Sequence, residues 1–189
     1  FLSGHMARPE IWTTAFLLIA LLFYILMLEN PGRFHIAMLA GATAVVPLDF
    51  HGNGLWFLIG FGVAAIAQVG IARRDFIGLS GYAIGVLVAS LILIAVHLMP
   101  SPATSWHQLT SGYRLLGNLP LARGLVSNLE SLPLWWQKNF WTAGGPLAAL
   151  ELGLVAAGFV AALQRRTKYD WMFITIISVS WFSFGVLMR

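Results

Sequence analysis

From Phe76 to Met99 the chain runs twenty-four residues, FIGLSGYAIGVLVASLILIAVHLM, without one formal charge. An α-helix needs about 20 predominantly apolar residues to cross the hydrocarbon core of a bilayer, so this stretch predicts a membrane-spanning helix. Arg73, Arg74 and Asp75 close it at one end, Pro100 and Pro102 at the other. Gly81, Gly85 and Ala89 recur at four-residue spacing, a small-residue ridge of the kind that lets helix backbones approach closely in lipid.

The rest of the chain fits that class. Apolar residues make up 59% of the 189 residues and charged residues 10%, against about 45–50% and about 25% in ordinary soluble domains. A soluble globular domain is excluded. The net charge of +4 is read as orientation signal, because in membrane proteins basic residues set which loops stay inside. The partners expected are therefore the lipid bilayer, a small-molecule ligand and a partner membrane subunit or second copy, and not nucleic acid. With no cysteine in the chain, disulfides and thiolate metal sites are absent.

The expected fold is all-α, a polytopic integral membrane helical bundle of about six membrane segments. Residues 1–5 are read as an expression scar ahead of Met6, and 6–189 as one membrane domain. The first segment, 11–28, has Trp12 and Tyr24 towards its ends, where aromatic belts sit, and Glu29-Asn30-Pro31-Gly32 stops it with a turn. The second, 34–50, is short. Its apolar part, Ile36 to Leu48, covers about 20 Å at 1.5 Å per residue, short of the ~30 Å core, and Pro47 interrupts it. It is either a short span or a re-entrant half-helix, which needs protein or a watery cavity to cover it; the span is preferred. Segments 54–71 and 76–99 follow, the former with one buried-looking amide, Gln68.

Residues 100–145 differ in kind, with Trp106, Trp135, Trp136 and Trp141, four of the eight tryptophans, among prolines and charges. They are expected to form an amphipathic outer segment at the interface. Segment 146–163 carries a second small-residue ridge, Ala149, Gly153, Ala157 and Ala161, expected to pack against the Gly81/Gly85/Ala89 ridge. Segment 171–188 is the last. Arg73/Arg74 and Arg165/Arg166/Lys168 in short loops should face the cytoplasm, as in a bacterial inner membrane, which places the Trp-rich segment outside.

That topology gathers several chemistry-bearing residues towards the outer face. Asp49 and His51 follow the second segment, His97 ends the central helix, and His107 opens the outer segment. Glu151 lies about 9 Å inside the fifth segment by helical rise. Asp49, His51 and His97 could ligate zinc, iron or copper, although the spacing matches no established metal motif and such residues are also common helix-end caps. Glu151 is the strongest single candidate, because a carboxylate within a span usually marks a pathway, a proton relay or a ligand contact. Its competing role is that of an acid snorkelling to the headgroups. Tyr113 and Arg114, with His107, could bind an anionic or aromatic ligand or simply anchor the interface.

Gly78-Leu79-Ser80-Gly81 is similar to the G-x-S-G string of rhomboid-type intramembrane serine proteases. Neither of the last two segments contains the histidine base such chemistry needs, and the reading is set aside. The expected function is a small-molecule or ion transporter, or the substrate-binding membrane subunit of one, with a site opening to the outer face. Two alternatives stand beside it: a membrane-embedded enzyme, with or without a metal, on a lipid or periplasmic substrate, and a noncatalytic subunit of a larger membrane complex. No cofactor follows from the residues.

Overall fold

A computed structural model describes residues 9–50, 54–103 and 145–187. They are helical nearly throughout, with no strand among the described residues. Helix α1 spans Pro9–Glu29, α2 Phe34–Phe50, and α3 Gly54–Ala64, which continues as π-helix through Ala65–Ala72. Helix α4 spans Phe76–Leu93 and passes into π-helical turns at Ile94–Leu98, where the Met99 N–H donates five residues back to Ile94 O at 2.9 Å. Helices α5 (Gly145–Arg165) and α6 (Lys168–Leu187) complete the set.

Three of these helices are long and apolar enough to cross a membrane: Trp12–Glu29, Gly54–Ala72 and Phe76–Val96. Phe34–Leu48 and Gly153–Arg165 are shorter apolar helices. The second segment is continuous: α2 runs seventeen residues through Pro47 without a break.

The helices end where sequence chemistry predicts. After α1, the Asn30 amide donates to Leu26 O at 2.8 Å, Pro31 cannot continue the ladder, and Gly32 turns at φ 74°, a left-handed conformation glycine takes without steric cost. Asp75 caps α4 by accepting from the Gly78 N–H at 2.9 Å. Thr167 and Asp170 form a reciprocal capping box at the start of α6. The Thr167 hydroxyl accepts from the Asp170 N–H at 3.2 Å, and the Asp170 carboxylate accepts from the Thr167 N–H at 3.0 Å.

The most extensive contact joins α2 and α4, which run in the same direction. Gly81 faces the Phe34 carbonyl, 2.6 Å from where a Cβ would stand, and Gly85 faces the Met38 carbonyl more closely still. Reciprocally, a Cβ on Gly41 would collide with the Tyr82 carbonyl. Helix α6 packs on α3, and Gly60 lets the Ile176 carbonyl within 2.6 Å of a Cβ position. Between these layers lies a core of Ala20, Tyr24, Met27, Ala40, Phe61, Ala64, Tyr82 and Met172.

Two expectations are corrected. The Gly81/Gly85 ridge does not pack against the ridge of the fifth segment; α2 fills it with Phe34, Ala37, Met38 and Ala42. Helix α2 is itself notched by Ala37, Ala40, Gly41 and Ala44, so two small-residue faces meet. Helix α5 instead packs only on α6 among its extensive contacts, and a Cβ on Gly153 would meet nothing within 4 Å. Tyr24 is not a belt residue either. It is 0% exposed and packs with Phe61 at 5.6 Å and Tyr82 at 6.4 Å between ring centroids.

Candidate functional site

The turns after α1, α3 and α5 meet at one end of the bundle. The Asp75 carboxylate that caps α4 also accepts from the Gly32 N–H at 2.8 Å. Arg73 reaches back to donate to Leu28 O. Lys168 pairs with Glu29 at 2.7 Å, and Arg165 with Asp170 at 2.8 Å. Here lie Arg33, Arg73, Arg74, Arg165, Arg166 and Lys168, against three acids. The Asp170 carboxyl is held below its ordinary range, first by the Thr167 hydroxyl and then by the Thr167 N–H and Arg165, against the opposing effect of burial.

The in-span amide belongs to this end. Gln68 lies in the π-helical part of the third helix. Its Nε2 donates to Lys168 O at 3.0 Å, and its Oε1 accepts from the Tyr24 hydroxyl at 3.4 Å. Both ends of the amide are used, so Gln68 ties α1, the third helix and α6 together. Nearby, the buried Tyr82 hydroxyl has no hydrogen-bond partner among the described residues.

The candidates chosen from sequence lie elsewhere. Asp49 is in the last turn of α2 and His97 in the π-helical end of α4. Because α2 and α4 are parallel, those two helix ends finish side by side, away from the basic turns. Between them is an apolar cleft of about 280 Å³ lined by Ala42, Val46, Ala89, Ile92 and Val96. Thr43 borders it, but its hydroxyl turns back to Leu39 O at 2.8 Å, so the cleft presents little polarity. Glu151 is in the second turn of α5, whose extensive packing among the described residues is on α6. The side chains of Asp49, His97 and Glu151, and all of His51, His107, Tyr113 and Arg114, lie outside the described residues, as does the Trp-rich stretch 104–144. Among the described residues no three His, Asp or Glu side chains are grouped to hold a metal.

Ser80 is exposed, and its hydroxyl donates within its own helix to Ile77 O at 3.0 Å. Its glycine neighbours serve packing: Gly78 leaves room for the Asp75 cap and Gly81 for α2. Sequence reading missed Tyr24, Tyr82 and Gly41 as the centre of the bundle. The available signal was the Ala37/Gly41 spacing in α2, which matches the Gly81/Gly85 spacing in α4.

Compared with protein-family models, with curated proteins and with solved structures, the chain matches none.

Proposed function

We propose that the chain is an integral membrane bundle of six segments, with the basic turns at the cytoplasmic face, and that it works as a transporter of a small molecule or ion, or as the substrate-binding membrane subunit of one. Support for the orientation comes from the turns after α1, α3 and α5, which carry the basic residues and converge at one end. Support for ligand handling comes from one observation: α4 loosens into π-helix at Ile94–Leu98, and His97 falls in it beside the end of α2 that carries Asp49. π-Helical turns are rare and frequent at functional sites, and an ionisable residue at membrane depth is a functional candidate by default. His51, His107, Tyr113, Arg114 and Glu151 are the further candidates for the outer face.

The test is binding and uptake in proteoliposomes, with divalent cations (Zn²⁺, Mn²⁺, Fe²⁺) and small organic anions as probes. Wild type is compared with Glu151→Gln, Asp49→Asn and His97→Gln. The proposal expects at least one probe to be taken up and the substitutions to reduce its uptake by tenfold or more. Unchanged uptake in all three variants removes its basis. Metal analysis of the purified protein separates it from a resident-metal enzyme.

A second reading is favoured by α5. Residues 153–158 are all exposed, and among the described residues a Cβ on either Gly153 or Gly158 would meet nothing within 4 Å. In lipid, small-residue faces serve close helix approach, and the comparable notches at Gly60 and Gly85 are filled from within the chain. An open α5 face supports a place within a larger membrane assembly. Filling it by Gly153→Leu with Ala157→Leu should shrink the particle isolated in mild detergent; an unchanged particle size counts against this reading.

A further inference from the structure

The junction between the third helix and α4 is three residues long, and two of the three are consumed internally. Arg73 donates to Leu28 O, and Asp75 caps α4 and holds Gly32. Arg74 does neither. It is exposed, and no acidic side chain pairs with it among the described residues. It sits at φ 54°, a left-handed backbone that side-chain-bearing residues rarely adopt. The α1–α2 turn meets the same need with Gly32. A charge is therefore kept where glycine would be less strained.

Beneath Arg74 is a shallow groove of about 530 Å³, walled by Ile66, Ile71, Phe76 and Leu79. Its walls are open: Ile71 is 71% exposed, Phe76 69% and Ile66 53%. Gly70 forms part of the lining, and a Cβ there would meet Leu79 Cδ2 at 2.8 Å. The groove is thus apolar along its length with a single guanidinium at its rim. The surrounding end of the bundle adds to that sign. Of its three acids, Glu29 is paired with Lys168, Asp170 with Arg165, and Asp75 is spent on backbone N–H groups.

We propose that this groove is an inner-leaflet site for an anionic phospholipid, with an acyl chain along Ile66, Ile71 and Phe76 and the phosphate on Arg74. The inference rests on the reading of the bundle as membrane-embedded with its basic turns inside. Charge complementarity selects the occupant. An apolar wall alone would accept any acyl chain, whereas an uncompensated arginine at headgroup level favours a lipid of net negative charge by roughly fivefold, the equivalent of about 1 kcal/mol per basic residue near the surface.

Because the chain has no cysteine, one introduced cysteine gives one labelled position. A bimane label is placed at Ile77→Cys, beside the groove, or at Leu26→Cys, near the same end on α1. Each protein is put into phosphatidylcholine nanodiscs containing brominated phosphatidylglycerol or brominated phosphatidylcholine at equal mole fraction. At Ile77→Cys the brominated phosphatidylglycerol should quench about fivefold more effectively. That ratio should fall to one in Arg74→Gln and in Arg74→Gly, and should stand near one at Leu26→Cys throughout. Arg74→Gly relieves the left-handed strain, so loss of preference there cannot be laid to misfolding. A ratio of one in the wild-type background, or a ratio that survives both Arg74 substitutions, overturns the lipid site while leaving the membrane reading intact. Absence of quenching by either lipid at either position overturns the membrane reading and the site with it.

Discussion

The Asp75 carboxylate accepts a hydrogen bond from the Gly32 N–H at 2.8 Å, across forty-three residues of chain, while its other oxygen caps α4 at Gly78. One side chain thus starts a helix and fastens the turn of the preceding hairpin to it. Asp75→Ala should destabilise the protein by about 0.5–2 kcal/mol, the usual range for a lost N-cap. Asp75→Asn, which can still accept, should cost less. Gly78→Ala should resemble Asp75→Ala, because a Cβ would fall 2.5 Å from the carboxylate. Thermal unfolding in a fixed detergent ranks the three.

The glycines separate into two kinds, and alanine distinguishes them. Gly41→Ala and Gly85→Ala force α2 and α4 apart and should each cost about 1–3 kcal/mol, as overpacking does. Gly153→Ala meets open space and should be neutral or stabilising by up to about 1 kcal/mol, the helix-propensity gain over glycine. Equal effects at Gly85 and Gly153 in the isolated protein would contradict the packing described.

The Glu29–Lys168 pair should matter little by comparison. Its side chains are 43% and 40% exposed, and exposed pairs contribute about 0–1 kcal/mol. Lys168→Ala also leaves its carbonyl free to accept from Gln68. Gln68→Leu should cost more than Lys168→Ala, since it leaves the buried Tyr24 hydroxyl without its acceptor. Unfolding midpoints of the two variants decide the order.

Asp170 sets an acid limit. Its folded-state pKa lies below the ordinary value of 3.8, so the unfolded chain binds the proton more readily. Its contribution to stability is complete above the unfolded pKa and is lost as pH falls through the lower folded value. Thr167→Val removes the hydroxyl that holds the value down most strongly, so the loss should still begin where the unfolded chain takes up the proton but be smaller and complete at a higher pH. Stability measured from neutral pH down to about pH 3 in wild type and variant shows whether the curves converge at the acid end, as expected.

Orientation is open to direct labelling. Arg33→Cys and Arg166→Cys should react with a membrane-impermeant maleimide from the cytoplasmic side alone. Reaction from the exterior would reverse the topology and move Asp49, His97 and Glu151 to the inner face.

Some helix ends were plain in the sequence because chemistry marks them: Pro31-Gly32 after α1 and the charged Arg73-Arg74-Asp75 before α4; the Thr167/Asp170 box that starts α6 at Lys168, ahead of the expected 171, was not read from it. The all-helical class was plain too, since a charge-free apolar run such as Phe76–Met99 has few fates other than a long helix. Pairing was not. Small-residue spacing says that a face is notched, not which partner fills it, and four helices offered notches of the same period. Tyr24 illustrates the same gap: an aromatic near a helix end suits an interface as well as a core, and only Phe61 and Tyr82 closing around it decide the matter. The outer candidates Asp49, His51, His97 and Glu151 were chosen from chain direction alone, and geometry adds only that α2 and α4 finish together while α5 stands against α6.

Helices α2 and α4 lie parallel, so the third helix must carry the chain back between them before α4 is made. The apolar part of α2 is short and its face is cut back to glycine and alanine, which gives it a weak hold on lipid by itself. Its closest companion is completed only after α3 has turned the chain around. In the proposed membrane bundle, biogenesis would therefore include an interval in which α2 waits beside α1 for a mate still to be made, and mutations that prolong that wait should show as degradation of the nascent chain.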